Sequence, residues 1–223
     1  MNNVAATFVR SVGAGKVWQA PYRHWSISNV LPDDVAAEVV ALPVPPPTPQ
    51  DNKGQRQTLN DSRRFFSPDY QATFDVCRHV AAAYQSPKVI DCIARGFGVD
   101  VTGTSLRIEY ALDGDGFWLE PHTDLGVKKF TMLLYLSQGE GSDTWGTDIF
   151  DDDHNVVETA PCTFNSALIF IPSTNTWHGF RQRPITGIRR TLILNYVGPE
   201  WRSREELCFP DTPVRREVSA TAA

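Results

Sequence analysis

A chain of 223 residues, 41% of them hydrophobic, can bury one good core, so the expectation is a single domain over residues 1–223 with an N-terminal extension. A net charge of −5 gives no electrostatic reason to expect nucleic acid as a partner, and no apolar run approaches the roughly 18 residues of a membrane span. The first ten residues lack the basic start and continuous apolar core of a signal peptide. Cys77, Cys92, Cys162 and Cys208 are too scattered for a zinc or redox motif, so a cytoplasmic location with buried thiols is expected.

Residues 1–20 show no sustained period, and Gly13-Ala14-Gly15 would interrupt a helix there. A short strand is expected at 25–27, then a helix from Pro32 or Asp33 to Leu42, with two aspartates suiting its dipole and Pro43 stopping it. His24 sits beside aromatics and reads as a packed or surface histidine. The proline-rich stretch 43–60 cannot be regular structure; a lid and a spacer are equal readings of it. Arg63-Arg64-Phe65-Phe66 reads as surface cations with the phenylalanines turned inward. The spacing of Tyr70, Phe74, Cys77, Val80, Ala81 and Tyr84 predicts one helix to about Gln85, and Pro87 divides it from a second over 89–94. Residues 1–100 are thus an extension plus supporting helices, 101–198 a β core and 199–223 an irregular tail.

In the β core, residues 105–112 form a strand and Asp113-Gly114-Asp115-Gly116 a turn. The segment W-L-E-P-H-T-D-L-G follows. If it is extended, the period of two puts His122 and Asp124 on one face, at the spacing of a chelate. A divalent metal needs a further ligand, and His178, just after the apolar strand 167–171, offers it. Two histidines and a carboxylate make the facial triad of non-haem Fe(II) oxygenases, with positions left open for co-substrate and oxygen. His154 is a rival ligand, but it lies in a polar turn of an acidic hairpin (137–155). In 129–136, Thr131, Leu133 and Tyr135 share the face taken as the pocket wall. In 189–196, Arg189 groups with Thr191, and Arg190 with Leu192 and Leu194.

Tyr110, His122-Thr123-Asp124, the strand Thr131 to Leu136, His178-Gly179 and Gly187-Ile188-Arg189 together resemble the Fe(II)/2-oxoglutarate-dependent dioxygenase superfamily, nearest its prolyl-4-hydroxylase-like branch, over about 105–197. The resemblance implies a mainly β fold with flanking helices, built on a double-stranded β-helix, or jelly roll. It implies Fe(II) held by His122, Asp124 and His178, and 2-oxoglutarate anchored by Arg189 with Tyr135, Thr191 and Tyr110. O2 is consumed, with ascorbate as an accessory reductant. The implied reaction is hydroxylation of an unactivated C–H bond in a small metabolite, amino acid or peptidyl substrate, releasing succinate and CO2.

Three alternatives are open. Halogenating relatives replace the carboxylate, which Asp124 argues against; a cupin-type metal protein would show a clustered His-x-His, which is absent; a non-enzymatic jelly-roll binding module would treat the triad as ordinary polar residues. The substrate is not legible. Glu120, Arg107 and Arg63 could hold a charged one, although each reads first as a surface or salt-bridged residue.

Overall fold

The computed structural model describes residues 3–48, 54–55, 61–124 and 126–216. The chain begins with a helix, α1 (Val4–Gly13), capped by the Asn3 side chain, which accepts from Ala6 N at 3.0 Å. This differs from the irregular start expected above. Val4, Ala5, Phe8 and Ser11 are buried on one side of the helix, and Gly13 marks its end instead of forbidding it. β1 (Lys16–Trp18) and β2 (His24–Ser28) follow, then α2 (Asp33–Val40) and β3 (Arg63–Phe65).

The single helix expected up to Gln85 is two, α3 (Pro68–Thr73) and α4 (Asp75–Gln85). Phe74 between them is extended, with φ −125° and ψ 109°, and its ring packs 4.7 Å from that of Tyr70. The apolar pattern runs through the break because Tyr70 and Phe74 pack against the same core that buries Val76, Cys77, Val80, Ala81 and Tyr84. α5 (Pro87–Phe97) ends on Gly98 at φ 72°, a left-handed stop that glycine adopts without steric cost.

The remaining strands are β4 (Ser105–Asp113), β5 (Leu119–His122), β6 (Lys128–Tyr135), β7 (Asp148–Phe150), β8 (Val156–Thr159), β9 (Ser166–Phe170), β10 (His178–Phe180) and β11 (Arg189–Val197). They form a seven-stranded sheet in the order β1-β2-β9-β6-β11-β4-β3 and a four-stranded sheet in the order β5-β10-β7-β8. This is a jelly-roll core whose larger sheet is widened by three strands from the first 100 residues.

Register decides which face of the large sheet looks where. Arg189 pairs with Asp113, Thr191 with Ala111 and Tyr135, and Asn195 with Arg107 and Thr131, so these residues share the face toward the smaller sheet. The other face carries Ile108, Tyr110, Met132, Leu134, Leu192 and Leu194, all buried against the helices. Truncating one of these leucines to alanine would cost about 2–5 kcal/mol.

Asn165 stands at φ 61° before β9, a conformation that asparagine tolerates better than most residues. Its side chain bonds both Leu31 N and Leu31 O, which ties the N-terminal segment to the core. Past β11 the protein is irregular, as expected, but it is tied down. Cys208 N donates to Leu106 O and Val214 N to Thr104 O, and Leu207 bridges to Arg107. The four cysteines are free thiols. Among the described residues no helix is long and apolar enough to cross a membrane.

Candidate active site

β5 and β10 run antiparallel with His122 directly opposite His178, and the two rings lie 4.3 Å apart between centroids. That approach depends on Gly179. A Cβ there would sit 2.7 Å from Leu119 O, closer than real Cβ atoms come. Asp124 follows His122 by two residues, and one ligand atom from each of His122, Asp124 and His178 lies within 4.8 Å of the others. Among the described residues this is the one histidine, cysteine or carboxylate cluster with metal-binding geometry. His154 is not part of it; its ring packs on Trp177 at 4.1 Å. His24 is buried and stacks on Trp18.

Each triad histidine has its Nδ1 against the carbonyl two residues before it. His122 Nδ1 is 2.7 Å from Glu120 O, and His178 Nδ1 is 3.0 Å from Thr176 O. A carbonyl only accepts, so both Nδ1 atoms carry the proton and the lone pair of each ring sits on Nε2, the nitrogen that can ligate a metal. Burial, then the neighbouring His122, pushes His178 down to about 4, so it is neutral and ligand-ready at neutral pH. Burial acts the other way on Asp124, raising it, but Lys128, His178 and Thr131 together outweigh this and hold the carboxyl at about 2. Lys128 Nζ donates to Asp124 Oδ1 at 2.5 Å and the Thr131 hydroxyl to Oδ2 at 2.6 Å. Thr131 in turn accepts from Asn195 Nδ2 at 2.9 Å, and Asn195 Oδ1 accepts from Arg107 Nη1 at 3.2 Å. A series of hydrogen bonds therefore runs from the Asp124 carboxylate across three strands.

The triad opens into a cavity of about 730 Å³. At one end Arg189 is held by two groups: Nη1 donates to Asp113 Oδ2 at 2.6 Å and Nε to Trp145 O at 2.8 Å. The Phe180 ring lies 4.7 Å from its guanidinium. Thr191 and Thr147 line the same end, and the buried Thr191 hydroxyl has no hydrogen-bond partner. Tyr135 does not line the cavity; its hydroxyl lies behind Thr147 and accepts from Thr147 N at 3.3 Å.

Tyr110, expected among the co-substrate residues, is on the opposite face of the sheet in the helix-packed core, so it does not reach the cavity. Arg190 is on that face as well.

The other end is charged, and it holds Arg107 and Arg63, which in sequence read first as surface or salt-bridged residues and second as able to hold a charged substrate. Arg63, expected above on the surface, is not there: β3 pairs it with Ala111, which turns it into the cavity with its side chain 10% exposed. Its Nε bonds Glu109 Oε1 at 2.6 Å; Glu109 Oε2 accepts from Arg107 Nη2 at 2.8 Å; Arg107 Nε donates to Glu206 Oε2 at 2.6 Å. Phe65 and Trp201 lie on the Arg107 guanidinium at 4.7 and 5.2 Å. Glu120 is exposed at the rim, where its backbone N donates to Gly54 O at 3.1 Å, and Gly54 and Gln55 border the cavity. Of the remainder of the stretch 43–60, read above equally as a lid or a spacer, residues 43–48 form no helix or strand, and residues 49–53 and 56–60 lie outside the described residues.

No protein-family profile matches this sequence, and no curated protein sequence matches it. Solved structures do. A prolyl-4-hydroxylase from Pseudomonas putida superposes with a TM-score of 0.56 at 16% identity, covering 87% of this chain and 98% of the other. A prolyl hydroxylase from Trichoplax adhaerens, solved with a hypoxia-inducible-factor oxygen-degradation-domain peptide, gives 0.56 at 17% identity, with 87% and 89% covered. HygX from Streptomyces hygroscopicus, solved with nickel and 2-oxoglutarate bound, gives 0.52 at 15%, with 80% and 85% covered. The fold is that of the Fe(II)/2-oxoglutarate oxygenases.

On this oxygenase fold, the local chemistry suits both groups. Two imidazole nitrogens and one carboxylate oxygen are the donor set that binds Fe(II) while leaving positions open. The unpartnered Thr191 hydroxyl, beside a guanidinium in the same cavity, suits the carboxylate of 2-oxoglutarate.

Proposed function

We propose that this protein is an Fe(II)- and 2-oxoglutarate-dependent dioxygenase that hydroxylates a C–H bond of a small-molecule, amino-acid or peptidyl substrate. The observation that carries this reading is the His122-Asp124-His178 cluster opening into the cavity that Arg189 and Thr191 line at its other wall. When bound, the iron and 2-oxoglutarate would supply the activation of O2, with succinate and CO2 as co-products.

The protein's own residues bind and orient. His122, Asp124 and His178 hold the metal, with the imidazoles fixed by their Nδ1 bonds and the carboxylate by Thr131 and Lys128. Arg189, held in place by Asp113 and Trp145 O, directs its Nη2 donors with the Thr191 hydroxyl at the distal carboxylate of 2-oxoglutarate. Tyr135 supports that wall through Thr147. Phe180, Leu133 and Ile193 line the cavity between these points and keep water from the reacting groups. Four free cysteines suit a reducing compartment, in keeping with a cytoplasmic enzyme.

The test is 2-oxoglutarate turnover. Purified protein should release succinate in air only when Fe(II) is added, and faster with a true substrate present. No iron-dependent succinate from any of a panel of metabolites and peptides would leave the fold without the activity.

A further inference from the structure

Two buried charged side chains, Arg107 and Glu109, and two partly buried ones, Arg63 and Glu206, form one assembly at the end of the cavity away from Arg189. Glu206, Arg107, Glu109 and Arg63 alternate in sign and are joined at 2.6, 2.8 and 2.6 Å. Burying charges is costly even when they are paired, so an apolar wall would stabilise the fold at least as well. An arrangement kept at this cost is best accounted for by what it can recognise.

Arg107 has five N–H groups, and its bonds to Glu206, Asn195 and Glu109 use three. The other two have no partner among the described residues. Glu206 engages Arg107 through Oε2, and its Oε1 has no partner among them. Arg107 and Glu206 both line the cavity, so it offers a cationic donor and a carboxylate oxygen side by side, with Trp201 beside them. The described charges that line the cavity are balanced: Arg63, Arg107, Lys128 and Arg189 against Glu109, Glu120, Asp124 and Glu206. A polyanion or a polycation would meet as much repulsion as attraction there. A small molecule carrying one charge of each sign meets a match for both.

Position then limits the size. Arg107 on β4 pairs with Asn195 on β11, which pairs with Thr131 on β6, the residue bonded to Asp124. Two strand spacings separate Arg107 from Thr131, about 10 Å. A head group held at Arg107 and Glu206 therefore needs several further atoms to bring a carbon beside the triad.

Resting on the oxygenase reading, we infer that the primary substrate is a free α-amino acid. Its carboxylate is bound by Arg107 and its ammonium by Glu206, and a side chain of three or more carbons is directed at the His122-Asp124-His178 centre. The bond broken is a C–H bond on that side chain, which becomes C–OH; O2 is reduced, and 2-oxoglutarate is the co-reductant that leaves as succinate and CO2.

The experiment is titration calorimetry on the full-length protein loaded with Ni(II) and 2-oxoglutarate. Each of the twenty L-amino acids is added, then the N-acetyl and methyl-ester forms of any that bind. At least one amino acid should bind with Kd below about 1 mM, and blocking either head group should weaken it at least about tenfold. Glu206→Gln, on a short helical turn with its side chain 19% exposed, should weaken it to the same degree while Ni(II) and 2-oxoglutarate bind as before. If Ni(II) and 2-oxoglutarate bind but no amino acid does, the inference is overturned and the oxygenase reading stands. Equal binding of the blocked forms, or of the free amino acid to Glu206→Gln, overturns it as well. Failure of Ni(II) or 2-oxoglutarate to bind would overturn the oxygenase reading itself.

Discussion

Arg189 Nη1 lies 2.6 Å from Asp113 Oδ2, with both side chains almost fully buried. The guanidinium that lines this end of the cavity thus already has a carboxylate on it, supplied by its cross-strand partner on β4. Removing one member of such a pair leaves a buried charge uncompensated and costs about 3–5 kcal/mol.

Asp113→Asn should therefore lower the melting temperature of the ligand-free protein by at least about 5 °C. The carboxylate of 2-oxoglutarate would then make up part of the missing charge. The variant should gain more thermal stabilisation than the wild type from Ni(II) plus 2-oxoglutarate. Equal ligand-induced shifts in the two proteins would mean that the co-substrate carboxylate does not meet Arg189.

Strand parity separates the two adjacent arginines. Arg189 faces the cavity and Arg190 the helix side. Losing a buried charge-assisted contact costs about 2–5 kcal/mol, or at least tenfold in affinity. Arg189→Gln should raise the Kd of 2-oxoglutarate on the Ni(II)-loaded protein by more than about tenfold, whereas Arg190→Gln and Tyr110→Phe should change it by less than about threefold. The reverse order between the arginines would assign the anchor to Arg190.

The clustering of His122, Asp124 and His178 is legible in the sequence because these residues obey local periods. His122 and Asp124 are two apart at the end of a strand, and His178 follows an apolar run. The Arg189 face is legible for the same reason. Tyr110 is misplaced because its role came from the family resemblance, whereas the alternation of β4, with Leu106, Ile108, Tyr110 and Leu112 against Arg107, Glu109 and Asp113, puts it on the helix-packed face. The charged end of the cavity is out of reach for a different reason. Arg63 enters it only through the pairing of β3 with β4, and Glu206 arrives on a turn 99 residues beyond Arg107. Neither placement leaves a local pattern. α1 escapes notice because a glycine pair that ends a helix looks, in sequence, like one that prevents it.

Thr131 connects the metal carboxylate to the large sheet, accepting from Asn195 and donating to Asp124. Groups that orient metal ligands typically contribute about 10–100-fold to metal affinity. Thr131→Val keeps the shape and removes the hydroxyl, and should weaken Ni(II) binding by that factor in a calorimetric titration, with little loss of thermal stability. Unchanged affinity would show that Lys128 alone suffices to orient Asp124.

The measurement that bears most directly on the metal centre is the visible spectrum of the protein under argon with Fe(II) and 2-oxoglutarate. The expected result is a weak charge-transfer band that needs both additions and disappears in His122→Ala and in Asp124→Ala. A band that persists unchanged in both variants would contradict the assignment of iron to His122, Asp124 and His178.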